Sequence, residues 1–98
     1  MKYGSMVINM KTKEVPINKA WVVYILRCKD NTLYTGMTNN MEKRLIAHNL
    51  GLAAKYTRSR RPVALSAVSN PMSRTDAMRL ELRIKKLGKE KKIAALNI

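Results

Sequence analysis

Residues 21 to 48, WVVYILRCKDNTLYTGMTNNMEKRLIAH, constrain the fold more than any other part of the chain. Trp21 to Leu26 is an unbroken run of apolar, β-branched and aromatic types, which predicts a strand. Lys29-Asp30-Asn31-Thr32 supplies a turn, and Leu33 to Met37 predicts the returning strand of a hairpin. Side chains alternate between the faces of a strand, so Tyr24 shares a face with Val22 and Leu26, and Tyr34 with Gly36. Pairing brings the two phenols near each other, and Gly36 leaves a gap beside Tyr34. Asn39, with Glu42 three residues on, has the pattern of a capping box that opens a helix. Met41, Leu45, His48 and Leu52 recur at helical spacing as its inward stripe. Arg44 and His48 stand four apart at the edge of that stripe, where a helix used only for packing would carry apolar residues. Gly51 ends the helix.

The rest of the chain completes one domain. Residues 1–19 have no sustained period and are expected to form an N-terminal arm, with a short strand over Met6 to Ile8 as an option, and residues 20–98 form the domain. The domain is expected to fold without the arm. Residues 53 to 62, AAKYTRSRRP, carry Lys55, Arg58, Arg60 and Arg61 with no acid and one tyrosine. Val63 to Val68 predicts a third strand between Pro62 and Asn70-Pro71. Ser73 and Asp76 make a second capping box before a long helix whose inward stripe is Ala77, Leu80, Ile84 and Leu87, with Met78 and Leu82 to one side. Glu81 falls between these groups and points inward. After Gly88 a short helix closes the core with Ile93, Ala94 and Leu96. The order predicts an α+β fold: a small three-stranded antiparallel sheet flanked by helices.

Charge narrows the partners. In 98 residues, Lys and Arg number 20 against 6 for Asp and Glu, a net charge of +14, so a phosphate backbone is the first expected ligand. The basic 53–62 segment suits gripping that backbone, with Tyr56 available to stack on a base or bond a phosphate; a solvated basic turn is the competing account. Cys28 is the single cysteine, which excludes an internal disulfide and predicts a small buried hydrophobe. No apolar run approaches the roughly 20 residues a spanning helix needs, and the first 19 residues lack the apolar core of a secretory signal. A cytoplasmic protein without membrane contact, monomeric or a weak homodimer, is expected.

An inward carboxylate is rarely left without a charged partner or a metal. For Glu81 these alternatives are a salt bridge to Arg44 or Lys85, and ligation of a divalent cation. Phosphodiester hydrolysis needs an activated water, a proton acceptor, positive charge around the phosphate and help for the departing oxygen. The hydroxyls of Tyr24 or Tyr34, the Arg44 guanidinium, the His48 imidazole and a metal on Glu81 meet those needs. A lone carboxylate suits Mg2+ or Mn2+, which keep water in their shell, whereas one His and one Cys disfavour zinc.

These motifs resemble the GIY-YIG nuclease superfamily, and within it the small single-domain bacterial branch. The resemblance spans about residues 20 to 96: Val22-Val23-Tyr24 stands at the first motif and Tyr34-Thr35-Gly36 at the second, followed by MTNNMEKRLIAHN, GLAAKYTRSRRPV and RLELRIKKL. It implies a three-stranded antiparallel sheet and single-metal cleavage of DNA, in the setting of repair or recombination, with RNA kept as an alternative ligand. It further implies Tyr24 as general base, Tyr34 positioning water or phosphate, Arg44 stabilising the phosphate, His48 orienting or relaying a proton, Tyr56 as an aromatic site residue and Glu81 as metal ligand. The chain departs from the pattern at Val22 and Val23, and Ile93 lies where larger members carry an asparagine. A nucleic-acid-binding protein with weak or absent catalysis is the alternative reading, and a protein-binding adaptor the third.

Overall fold

The computed structural model describes residues 19–96. The expected N-terminal arm, with its optional strand, and Asn97 lie outside the described residues. The elements are β1 (Val22–Arg27), β2 (Leu33–Thr38), α1 (Met41–Asn49), α2 (Lys55–Arg58), β3 (Ala64–Val68), α3 (Arg74–Lys85) and α4 (Lys89–Leu96).

The strands form one antiparallel sheet in the order β2-β1-β3, as the sequence predicts. The central strand β1 carries four consecutive buried residues, Val23, Tyr24, Ile25 and Leu26. Unbroken burial in place of alternation means that both faces of the sheet are covered. On one face Val23, Ile25 and Ala67 pack with Ala77, Ile84 and Leu96 from α3 and α4. On the other, Tyr24, Leu26, Cys28 and Val63 meet Tyr34, Met41 and Leu45. Cys28 is a free, buried thiol, in keeping with a hydrophobic role.

Local chemistry sets the element ends. Asn31 turns the hairpin at a φ of 70°, a left-handed conformation that asparagine tolerates. Ser73 caps α3, accepting from the Asp76 backbone N–H at 3.0 Å. The cap of α1 is Asn40 and not Asn39: residue 40 has extended backbone and its side chain accepts from the Lys43 N–H at 3.1 Å. Glu42 therefore does not close a capping box; it lies in the first turn, where its charge complements the positive end of the helix.

Two packing expectations are also corrected. Leu52 lies beyond the end of α1 and is 77% exposed, because the chain turns at Gly51, whose φ is +80°. In α4, Ala95 and not Ala94 joins the core beside Ile93 and Leu96. Met78 and Leu82 stay exposed on α3. Asn49, which the sequence did not single out, ties the end of α1 to the start of β3. Its amide donates to the Val63 carbonyl at 3.0 Å and its oxygen accepts from the Val63 N–H at 2.8 Å, completing the backbone pairing of a residue just outside the sheet.

Thr35 is 4% exposed and its hydroxyl has no hydrogen-bond partner among the described residues. Burying an unpaired hydroxyl costs about 1–3 kcal/mol, so Thr35→Val, close in shape, is expected to raise stability by about 1 kcal/mol in chemical denaturation. A clear loss of stability would mean that the hydroxyl is used.

Candidate active site

The site begins with a close approach between strands. Tyr24 faces Gly36 across the β1–β2 ladder, and Leu26 faces Tyr34. A Cβ at residue 36 would fall 2.5 Å from the Tyr24 hydroxyl oxygen and 2.6 Å from Cζ. The gap at Gly36 is therefore filled by the Tyr24 ring, not left open beside Tyr34. This position carries the phenol from the central strand across the edge strand β2, on which α3 also packs.

The Tyr24 side chain is held by His48 and Tyr34. Its hydroxyl lies 2.8 Å from His48 Nε2. The Tyr34 ring is 6.5 Å away, centroid to centroid, and edge-on to the His48 ring at 5.2 Å. His48 Nδ1 lies 2.8 Å from Thr57 Oγ1, and the Thr57 hydroxyl reaches the Ala54 carbonyl at 3.3 Å. His48 and Thr57 are fully buried. Helix α2, only four residues long, thus brings Thr57 to the imidazole.

The electrostatics explain how one sheet edge draws on both helical layers. Burial raises the Tyr24 phenol well above its ordinary pKa of 10.0, as do Tyr34 and the Glu81 carboxylate, while Arg44 opposes them. The phenol thus feels a cation from α1 and an anion from α3. His48 is pushed below its ordinary 6.5, chiefly by burial and then by Arg44, so the imidazole is held neutral.

Glu81 is half-buried, with 19% of its side chain exposed, and lies 3.5 Å from Lys85 Nζ one turn on. The salt bridge expected as one alternative is therefore present. Lys85 is half exposed, and such helix pairs contribute about 0.3–0.5 kcal/mol, little obstacle to a competing ligand. Among the described residues no three His, Cys, Asp or Glu side chains group to hold a metal. The single Glu81 carboxylate fits a hard ion with most of its shell open and does not fit a closed protein cage.

Tyr56 joins the group differently from expectation. Its ring stacks on Tyr34 at 5.9 Å, and the Arg60 guanidinium covers the ring at 3.9 Å. Tyr56 nevertheless stays 38% exposed. Arg60 is occupied as well: it pairs with Asp30 at 3.0 Å and donates to the Tyr56 carbonyl at 2.8 Å. Asp30 is held below its ordinary range, first by the hydrogen bond from the Thr32 hydroxyl, with the Thr32 N–H and Arg60 adding to it. Arg61 donates to the carbonyls of Arg58 and Asn49. Lys55 and Arg58 are exposed and make no ion pair among the described residues. Of the four basic residues in the connector, these two are the freest to meet an anion. Ile93 is half-buried against the core, so no amide enters the site from α4.

Thr57 is the residue that sequence reasoning passed over. It follows Tyr56 in AAKYTRSRRP, and no local signal pairs it with a histidine nine residues earlier.

With Tyr24 facing Gly36 and Tyr34 facing Leu26 across the β1–β2 ladder, the sequence pattern of the GIY-YIG catalytic domain matches residues 20–94. The chain belongs to the GIY-YIG family. Its near relatives are small proteins of the UPF0213 group, a name that carries no activity. One from Staphylococcus haemolyticus is 49% identical over 71 residues, covering 72% of this chain and 87% of its own. Another, from Halobacterium salinarum, is 46% identical over 72 residues, 74% of this chain and 94% of its own. The solution NMR structure of a UPF0213 protein from Bacillus halodurans is 44% identical, covers 74% of this chain and 77% of that one, and superposes with a TM-score of 0.46. Among the described residues no helix is long and apolar enough to cross a membrane.

Proposed function

We propose that this chain is a divalent-metal-dependent endonuclease that hydrolyses DNA phosphodiester bonds, selecting substrates by structure in repair or recombination. The observation that carries the reading is the Tyr24 hydroxyl hydrogen-bonded to a neutral, buried imidazole while Arg44 and Glu81 act on it with opposite sign.

Tyr24 is 2% exposed, so its hydroxyl can meet nothing much larger than a water molecule. As a resting phenol it is a poor base, since burial holds the proton on it. His48 Nε2 is placed to take that proton; Arg44 favours the phenolate that results and disfavours the imidazolium. Tyr34 borders the same space and orients the water or a phosphate oxygen. Arg44 also supplies positive charge to the phosphate as the fifth oxygen bonds. Glu81 would hold Mg2+ or Mn2+, which when bound contributes Lewis-acid stabilisation of the departing oxygen. Lys55 and Arg58 track the backbone without reading sequence.

The decisive test incubates wild-type and Glu81→Ala proteins with duplex, nicked, forked and single-stranded DNA in magnesium or manganese. Metal-dependent cleavage by the wild type, lost in a folded Glu81→Ala protein, is the expected result. Equal cleavage by the two would remove Glu81 from the mechanism. Binding that weakens with salt, with no cleavage by either protein, would leave a nucleic-acid-binding domain.

A further inference from the structure

The hydrogen-bonded chain that starts at Tyr24 ends on a group that can only accept. The Ala54 carbonyl has no proton to give, so the contact at 3.3 Å uses the hydrogen of the Thr57 hydroxyl. What Thr57 Oγ1 offers to His48 Nδ1, 2.8 Å away, is then a lone pair. With the Thr57 hydrogen on Ala54, Nδ1 carries the ring proton; with that hydrogen turned to Nδ1, the tautomer is reversed. In the first arrangement the neutral imidazole has no second proton, so Nε2 is bare and accepts from the Tyr24 hydroxyl at 2.8 Å. Thr57 and His48 are both at 0% exposure, and solvent does not compete for these bonds.

We infer that Thr57 is a positioning residue that fixes the His48 tautomer, keeping the Nε2 lone pair turned to the Tyr24 phenol. The catalytic consequence rests on the nuclease reading above; the tautomer assignment does not. In the cleavage step the Tyr24 proton passes to Nε2 and the imidazolium keeps its Nδ1–H on Thr57. The Tyr24 oxygen takes a proton from the attacking water, and the water's electron pair forms the new P–O bond. The ester P–O bond breaks with its pair on the departing oxygen, which takes a proton from solvent, and His48 later returns its proton to solvent. With the proton on Nε2 instead, Tyr24 would face a donor and the first transfer would be closed.

The test is a two-bond 1H–15N correlation spectrum of the full chain labelled at its histidine, at a pH where His48 is neutral. The wild type and Thr57→Ser are expected to show a protonated Nδ1 and an unprotonated Nε2, and Thr57→Val and Thr57→Ala to lose that signature while circular dichroism stays native. Cleavage by Thr57→Val is expected to fall roughly 10- to 100-fold, as for the outer partners of ligating histidines, in kcat more than KM, and to recover in Thr57→Ser. A wild-type spectrum with Nε2 protonated overturns the inference, as does a Thr57→Val spectrum identical to wild type. If Thr57→Val fails to fold, the wild-type spectrum decides together with Thr57→Ser. Should the wild type cut no DNA, the nuclease reading fails while the spectra still decide the tautomer.

Discussion

Tyr24→Phe is expected to lower the rate of DNA cleavage by about 10²–10⁴-fold, the range that a positioned proton-transfer group contributes. The ring keeps its place over Gly36, so the fold should survive. What is lost is the hydroxyl that bonds His48 Nε2 at 2.8 Å. That buried acceptor then lacks a partner, and stability should drop by roughly 1–3 kcal/mol. Single-turnover rates with magnesium or manganese, alongside thermal unfolding, separate the two effects. Adding His48→Ala to Tyr24→Phe should cost little further rate, because residues that act as one unit are not additive. Fully additive losses would dissolve the pair.

Burial of His48, with Arg44 nearby, sets a pH dependence. His48 is depressed from 6.5, so the folded state prefers the neutral ring and the unfolded chain binds the extra proton first. Its contribution to stability is complete above about pH 6.5 and is lost as pH falls through the depressed value. The acid limb of the cleavage rate should lie at that lower pH and not at the ordinary histidine value.

The second large effect is expected from a single methyl group. Gly36→Ala would drive Cβ to 2.5 Å from the Tyr24 hydroxyl oxygen, against a buried ring that His48 holds in place. Overpacking of this kind costs about 1–3 kcal/mol, or roughly 4–24 °C in Tm for a domain of this size. Cleavage should fall with it, since relief of the clash moves the phenol off the imidazole. Gly88→Ala is the control: there the nearest atom is Glu90 Oε1 at 3.3 Å, the end of an exposed and flexible side chain. Wild-type stability and activity in Gly36→Ala would refute the account of the site given by the β1–β2 register.

Much of this architecture could be read before any coordinates because it is local. The β-branched run of β1, the turn residues after Cys28 and the Ser73 cap each act through near neighbours in sequence. Where the reading slipped, competing local signals were equal or the partner was remote. Asn39 and Asn40 are the same residue type, and only the backbone path after β2 decides which one caps α1. The basic connector looked uniform, yet Arg60 is committed to Asp30, thirty positions earlier, and Arg61 to carbonyls. Alternation along β2 sets Gly36 beside Tyr34 but does not say which side chain from the next strand fills the gap, and Tyr24 does.

The Tyr34–Tyr56–Arg60 stack has a consequence for selectivity. Among the described residues the aromatic planes at this edge face one another or a guanidinium, and Trp21 lies under Arg74. Each of these rings is engaged within the protein, Tyr56 while still 38% exposed. Under the proposed nuclease function, recognition at this edge is expected to run through phosphate positions, so gapped, flapped and branched duplexes of scrambled sequence should be cut alike within each shape.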